Sequence, residues 1–172
     1  NKRRIASDFT ALGSLFKESK RMDLAGKYLD SARGYYYEIG EKLNLSTVLL
    51  HLADLEKRKS GGGDLQKALS LENQALSLAS ASESLEAQRS AWKALAETQE
   101  AMKDFKNSLF SFQQYQAFQD SIFNDKNEKK LLSLQIGHEY ENREKVLKAG
   151  FQTEKQLLES DKERERLKAS LY

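Results

Sequence analysis

The stretch ALGSLFKESKRMDLAGKYLDSA, residues 11–32, decides how the rest of the chain is read. Large apolar residues (Leu12, Phe16, Leu29) and small ones (Gly13, Ala25, Ala32) alternate at helical spacing. A helix that only covers a core has no need of small residues at fixed places. Two helices whose backbones approach closely do need them. The polar run between Phe16 and Leu24 makes a turn, and the stretch reads as an antiparallel helix pair. Gly13 and Ala25 are its contact points, Phe9, Leu12, Phe16 and Leu29 fill the remaining volume, and Ala32 leaves room for a further helix.

The same order returns about forty residues later. Leu49, Leu52 and Ala53 stand on one helix, and Ala68 and Ala75, seven apart like Ala25 and Ala32, on the next. Between them KSGGGD, residues 59–64, adds three residues and forms a flexible turn. A third return gives Trp92, Leu95 and Ala96, then Ser108, Phe112 and Tyr115, with KDF at 103–105 as the turn. Composition agrees with an all-α protein. Among 172 residues there is no Pro, and Val, Ile and Thr total ten against 26 Leu. β-branched residues favour strands and Pro breaks helices, so their scarcity leaves little but helix. The absence of Cys excludes disulfides and thiolate metal sites.

This pattern resembles the tetratricopeptide repeat: a large apolar residue, Leu-Gly or Leu-Ala, an aromatic, Ala, an aromatic or Leu, and Ala. Three repeats are expected, at about 6–39, 46–81 and 89–122, in a domain spanning 1–122. The first matches at all seven positions. The second departs at Glu56 and Glu72, the third at Gln99 and Tyr115, and the frequent closing Pro is absent throughout. The spacing exceeds the family's usual roughly 34 residues and is similar to a long-linker subclass found in bacterial regulators. The resemblance implies a right-handed α-solenoid of three helix pairs. A plain helical bundle is the alternative architecture.

From 123 to 172 a long charged helix is expected, with eleven basic and ten acidic residues from Asp125 on. Either Asn124 or Asp125 caps a new helix here, or the third repeat runs straight on. Leu131, Leu132 and Leu134 are expected to cap the third repeat. Ile136, Tyr140, Leu147, Phe151 and Leu158 step by four and seven, an eleven-residue period that keeps one narrow apolar stripe. Such a stripe needs a partner: a second copy of itself, giving a homodimeric coiled coil, or the repeat domain, or a further element. The join QDSIFNDKNEKKLLSLQIGHEYENREK resembles the segment after the repeats in bacterial tetratricopeptide-repeat sensor histidine kinases and related transcription regulators. That likeness implies the sensory part of a two-component or similar signal-transduction protein. It also implies a location either on the periplasmic side of a membrane-anchored parent or in the cytoplasm. Because the chain starts at Asn1, a fragment of a longer protein is expected.

No catalytic constellation stands out, and no cofactor or metal is expected. Net charge is +2, and the basic NKRR at the N-terminus reads as a solvated end, so nucleic acid is not an expected partner. No apolar run is long enough to span a membrane. In such repeats the first helix of each pair lines a concave groove. The resemblance therefore points to Thr10, Ser14 and Lys17, then His51, Asp54, Lys57 and Arg58, then Lys93, Glu97 and Glu100 as a protein- or peptide-binding groove. The carboxylate clamp of co-chaperone repeats is missing, since Thr10, Ser14, His51, Ser90 and Ala94 occupy its positions. His138-Glu139 is similar to the start of a kinase phospho-acceptor box, but Tyr140-Glu141-Asn142 follows in place of a basic residue and Pro. SGGGD at 60–64 lacks the Lys-Ser or Lys-Thr of a phosphate loop. At least one ring of YYYE, 35–38, is expected to pack between the first two repeats. A non-catalytic peptide-binding module is the leading expectation, with a structural dimerisation scaffold and a phospho-acceptor helix as alternatives.

Overall fold

Six α-helices make up the computed structural model, which describes residues 1–59 and 63–169. They are α1 (Lys2–Glu18), α2 (Met22–Glu38), α3 (Lys42–Lys57), α4 (Leu65–Ala81), α5 (Leu85–Ala101) and α6 (Phe105–Ala169). No strand occurs among the described residues, so the all-α expectation holds. Successive helices begin 20 residues apart, except for 23 between α3 and α4. The three residues added at KSGGGD make that difference, although residues 60–62 themselves lie outside the described set.

The regular step comes from the turns. Each places one residue in the left-handed region: Lys20, Gly40, Gly63, Glu83 and Lys103, with φ between 57° and 70°. After α1, α2 and α5 the reversal closes with the same bond: Arg21 N–H donates to the Phe16 carbonyl (2.8 Å), Glu41 to Tyr36 (3.0 Å) and Asp104 to Gln99 (2.8 Å). This is a Schellman closure, which satisfies otherwise orphaned helix-end carbonyls. Side chains of Asn1, Asp64 and Ser84 accept from the first-turn N–H groups of α1, α4 and α5. The Lys2 and Arg3 side chains reach Glu38 and Glu41. NKRR is thus an exposed tie between the start of α1 and the turn after α2.

Within residues 1–123, one of two compact units, α2, α3, α4 and α5 each pack on the helix before them and α3 also touches α1 and α5. Gly13 shows how close the approach is. A Cβ there would lie 2.6 Å from Leu29 Cγ and 3.4 Å from the Ala25 carbonyl oxygen. Ala25, Leu29, Ala32, Tyr36, Leu49, Leu52, Ala53, Ala68 and Ala75 share one buried core. Phe9 and Phe16 stand half-buried at its edge. Phe16 stacks on Tyr28 (5.3 Å) and Phe9 lies 5.8 Å from Tyr35. Of the tyrosine run, Tyr36 is buried and Tyr37 is exposed. Leu12, expected in the interior, is exposed instead. It sits beside Gly13 but faces outward, one residue round the helix from the contact with α2. Ser108 donates to the Ala96 carbonyl (2.9 Å) and Ser111 to Gln99 Oε1 (2.7 Å), fixing the start of α6 on α5.

The second unit begins at Asn124, inside α6. Neither Asn124 nor Asp125 starts a new helix, because α6 continues through both. Leu131, Leu132 and Leu134, expected to be covered, are exposed. Ile136, Tyr140, Leu147, Phe151 and Leu158 are exposed as well. Lys129–Asp125 (2.7 Å) and Lys148–Glu144 (2.6 Å) are one-turn ion pairs along the helix. No helix among the described residues is long and apolar enough to cross a membrane.

Two helical glycines test the packing by opposite outcomes. Gly26→Ala, where an added Cβ meets nothing within 4 Å, is expected to stabilise the protein by about 0.5–1 kcal/mol through lost unfolded-state freedom. Gly13→Ala meets Leu29 and is expected to cost about 1–3 kcal/mol despite the better helix propensity. Urea midpoints of the two variants against wild type check both signs.

Candidate functional site

Helical spacing puts His51, Asp54 and Arg58 on one face of α3, and the last turn of α1 brings Lys17 against it. Lys17 Nζ lies 2.9 Å from Asp54 Oδ2 and 3.3 Å from His51 Nδ1, and Arg58 Nε donates to Asp54 Oδ1 at 2.8 Å. An ammonium has no lone pair, so Nζ donates to Nδ1 and the neutral ring carries its proton on Nε2. Burial, then the Lys17 charge, hold the His51 pKa below 6.5 against the opposing pull of Asp54. For Asp54, burial pushes upward, but hydrogen bonds from Arg58 and Lys17 and their charges outweigh it and keep the carboxyl below its usual value. The cluster therefore holds two cations sharing one carboxylate, beside a neutral imidazole.

Next to it runs a cleft of about 480 Å³ between α3 and α5, lined by Leu43, Thr47, Leu50 and His51 on one side and by Ala87 and Ser90 on the other. Asn44 and Glu86 line it as well. Ser90 donates its hydroxyl to the Glu86 carbonyl at 2.8 Å, and Ser84 caps α5 at the cleft's edge. Leu43, Thr47 and Leu50 escaped the sequence reading. Their signal was present, since they step back by helical turns from His51 and Asp54 on the same face.

The ten residues expected to line one groove fall in several places. Lys17, His51, Asp54 and Arg58 come together. Lys57 turns the other way, because Glu72 of α4 is wholly buried and requires a cation. Lys57 Nζ and Thr98 Oγ1 donate to Glu72 Oε1 at 3.0 and 2.8 Å, while Oε2 has no hydrogen-bond partner among the described residues. Burial raises the Glu72 pKa, with the Thr98 bond and the Lys57 charge opposing. This network joins α3, α4 and α5. Glu56, the other acidic departure from the repeat pattern, pairs with Lys59 (2.6 Å) and Lys67 (2.9 Å). Thr10 donates back to the Ala6 carbonyl at 2.8 Å, and Ser14 is half-buried beside it. Lys93, Glu97 and Glu100 line a different cleft, of about 350 Å³, with Phe105, Leu109, Phe112 and Tyr115. His138 is exposed in the second unit. Among the described residues no group of three His, Asp or Glu side chains is placed to hold a metal ion.

No protein-family model matches this chain, and no curated protein matches it.

His51 makes stability pH-dependent with a definite sign. Its folded pKa is depressed, so near neutrality and above 6.5 both states carry a neutral ring. As pH falls through 6.5 the unfolded chain takes up the proton first, and stability drops. Urea midpoints measured between about pH 7 and pH 5 are expected to decline for wild type and to decline less for His51→Gln, which keeps an acceptor for Lys17 but does not titrate.

Proposed function

We propose that the helices form three tetratricopeptide-like pairs, α1–α2, α3–α4 and α5 with the start of α6, stacked as a right-handed solenoid whose first helices line a peptide groove. The 20-residue step between successive helices, lengthened to 23 between α3 and α4, supports this reading. So do the recurring close contacts, Gly13 against Ala25 and Ala96 against Ser108. In this reading the module is non-catalytic and acts as the sensory or regulatory part of a bacterial signalling protein, with the α6 extension as its connector.

The cleft between α3 and α5, continuous through His51 with the Lys17–Asp54–Arg58 cluster, carries the proposal. Leu43 and Leu50 offer apolar contact, and Asn44, Thr47 and Ser90 offer hydrogen-bonding groups to an extended backbone. The cluster's two cations against one carboxylate leave a positive charge for an acidic side chain of the ligand. Apolar contact plus a few placed polar groups is the usual make-up of a peptide site.

The exposed stripe from Ile136 to Leu158 favours a second reading, a scaffold whose task is to dimerise through α6 and space other domains. A displayed random-peptide library selected against residues 1–172 separates the two. The groove reading expects enrichment of peptides pairing an apolar with an acidic residue. It also expects binding that falls roughly tenfold or more in Leu50→Glu, since a carboxylate then replaces apolar contact, and that weakens with salt. Selected peptides that bind Leu50→Glu as well as wild type would remove the groove and leave the scaffold.

A further inference from the structure

The junctions between helix pairs map onto one another by sequence offset. Helices α2 and α3 start at 22 and 42, α4 and α5 at 65 and 85, so each position at the first junction has its counterpart 43 residues on. Leu29 and Leu55, buried in the same core at the first junction, become Glu72 and Thr98 at the second, buried and joined by a 2.8 Å hydrogen bond. Going 40 residues on from α4 to α6, and 40 back from α3 to α1, reaches Phe112 and Leu15. These are 48% and 55% exposed, although every counterpart is buried.

Their neighbours follow the same rule. Ile5 and Leu12 on α1 are exposed, while their counterparts Leu45 and Leu52 are buried. On α6, Phe105 and Leu109 flank Phe112 along the open cleft of about 350 Å³. Two apolar faces thus lie uncovered at opposite ends of the helix array, and each matches in register one side of a junction that the array already makes twice. Apolar patches of this kind mark interaction surfaces.

We infer that α1 of one copy docks on the α5–α6 end of a second copy, so that the helix array continues head to tail from chain to chain. Leu15 of one copy meets Phe112 of the other, two apolar residues at the register positions that Leu55 and Leu29 hold in the buried core. At the rim, the contact of Lys17 with Asp54 (2.9 Å) has as its counterpart Glu100 of the second copy with Ser14 of the first. The interface is heterologous, so it uses a different surface on each copy. The inference rests on the array register set out under Proposed function.

The chain has no Cys, so introduced thiols report cleanly. Full-length Ser14→Cys and Glu100→Cys proteins, mixed at high concentration with a short bis-maleimide, are expected to give a covalent mixed dimer at least about tenfold above either protein alone. Adding Leu15→Glu to the first or Phe112→Glu to the second is expected to cut the yield by a similar factor, since a charge would enter the apolar contact. Both residues are exposed in the single chain, and an unchanged helical circular dichroism signal shows that the variants fold. The double variant Lys17→Cys/Asp54→Cys in one chain is the control for register. If it does not cross-link internally, the array reading falls and this inference with it. If it does, the head-to-tail inference alone is overturned by any of three results: no mixed dimer, homodimers as abundant as mixed ones, or a yield indifferent to the two Glu substitutions.

Discussion

A chain that reverses direction in three residues must place one of them in the left-handed region, and this protein does so at both glycyl and non-glycyl positions. Lys20, Glu83 and Lys103 take the conformation that Gly40 takes without a Cβ penalty. For an L-residue that costs about 1–2 kcal/mol. The return is a tight closure that starts each helix 20 residues after the last, except for the 23 between α3 and α4. Register follows from that step. Gly13 meets Leu29, Ser108 meets Ala96, and the Glu72–Thr98 bond stands at the positions of Leu29 and Leu55.

The fold was legible where steric demands leave a compositional mark. Gly13, Ala25, Ala32, Ala68 and Ala75 stand at contact points, and the insertion at KSGGGD was visible as extra residues between two helices. The turns at Lys20 and Lys103 were legible as polar breaks but not as left-handed positions, because no Gly marks them, and the turn at Glu83 was not singled out. Leu12 misled because its neighbour Gly13 makes the contact, and one residue's step on a helix changes which way a side chain faces.

The site was half legible for an electrostatic reason. Spacing on α3 puts His51, Asp54 and Arg58 on one face, but it cannot say that Lys17 of another helix closes the cluster. Nor can it say that Lys57 leaves that face for a carboxylate on α4. Glu72 looked like a departure from the repeat pattern. Its burial explains it, since a carboxylate taken out of water draws Lys57 and Thr98 toward it. The uncharged groups of the cleft, Leu43, Thr47 and Leu50, carried no chemical flag, and only their shared face with His51 connects them to it.

The claim on which groove, register and assembly all depend is that the second junction repeats the first, with Glu72 and Thr98 in the places of Leu29 and Leu55. A double-mutant cycle on those two residues tests it most directly. Glu72→Leu alone leaves the buried Thr98 hydroxyl without its acceptor, and Thr98→Leu alone leaves the buried carboxylate with one fewer donor, held by Lys57, so each is expected to destabilise. Together they put Leu at both positions, as at the first junction, and Lys57, which is partly exposed, can turn to solvent. The account predicts a double variant more stable than the sum of the single losses by about 1 kcal/mol or more in urea unfolding. Strictly additive losses would mean that the two residues do not occupy equivalent, facing positions, and the repeated junction would have to be given up.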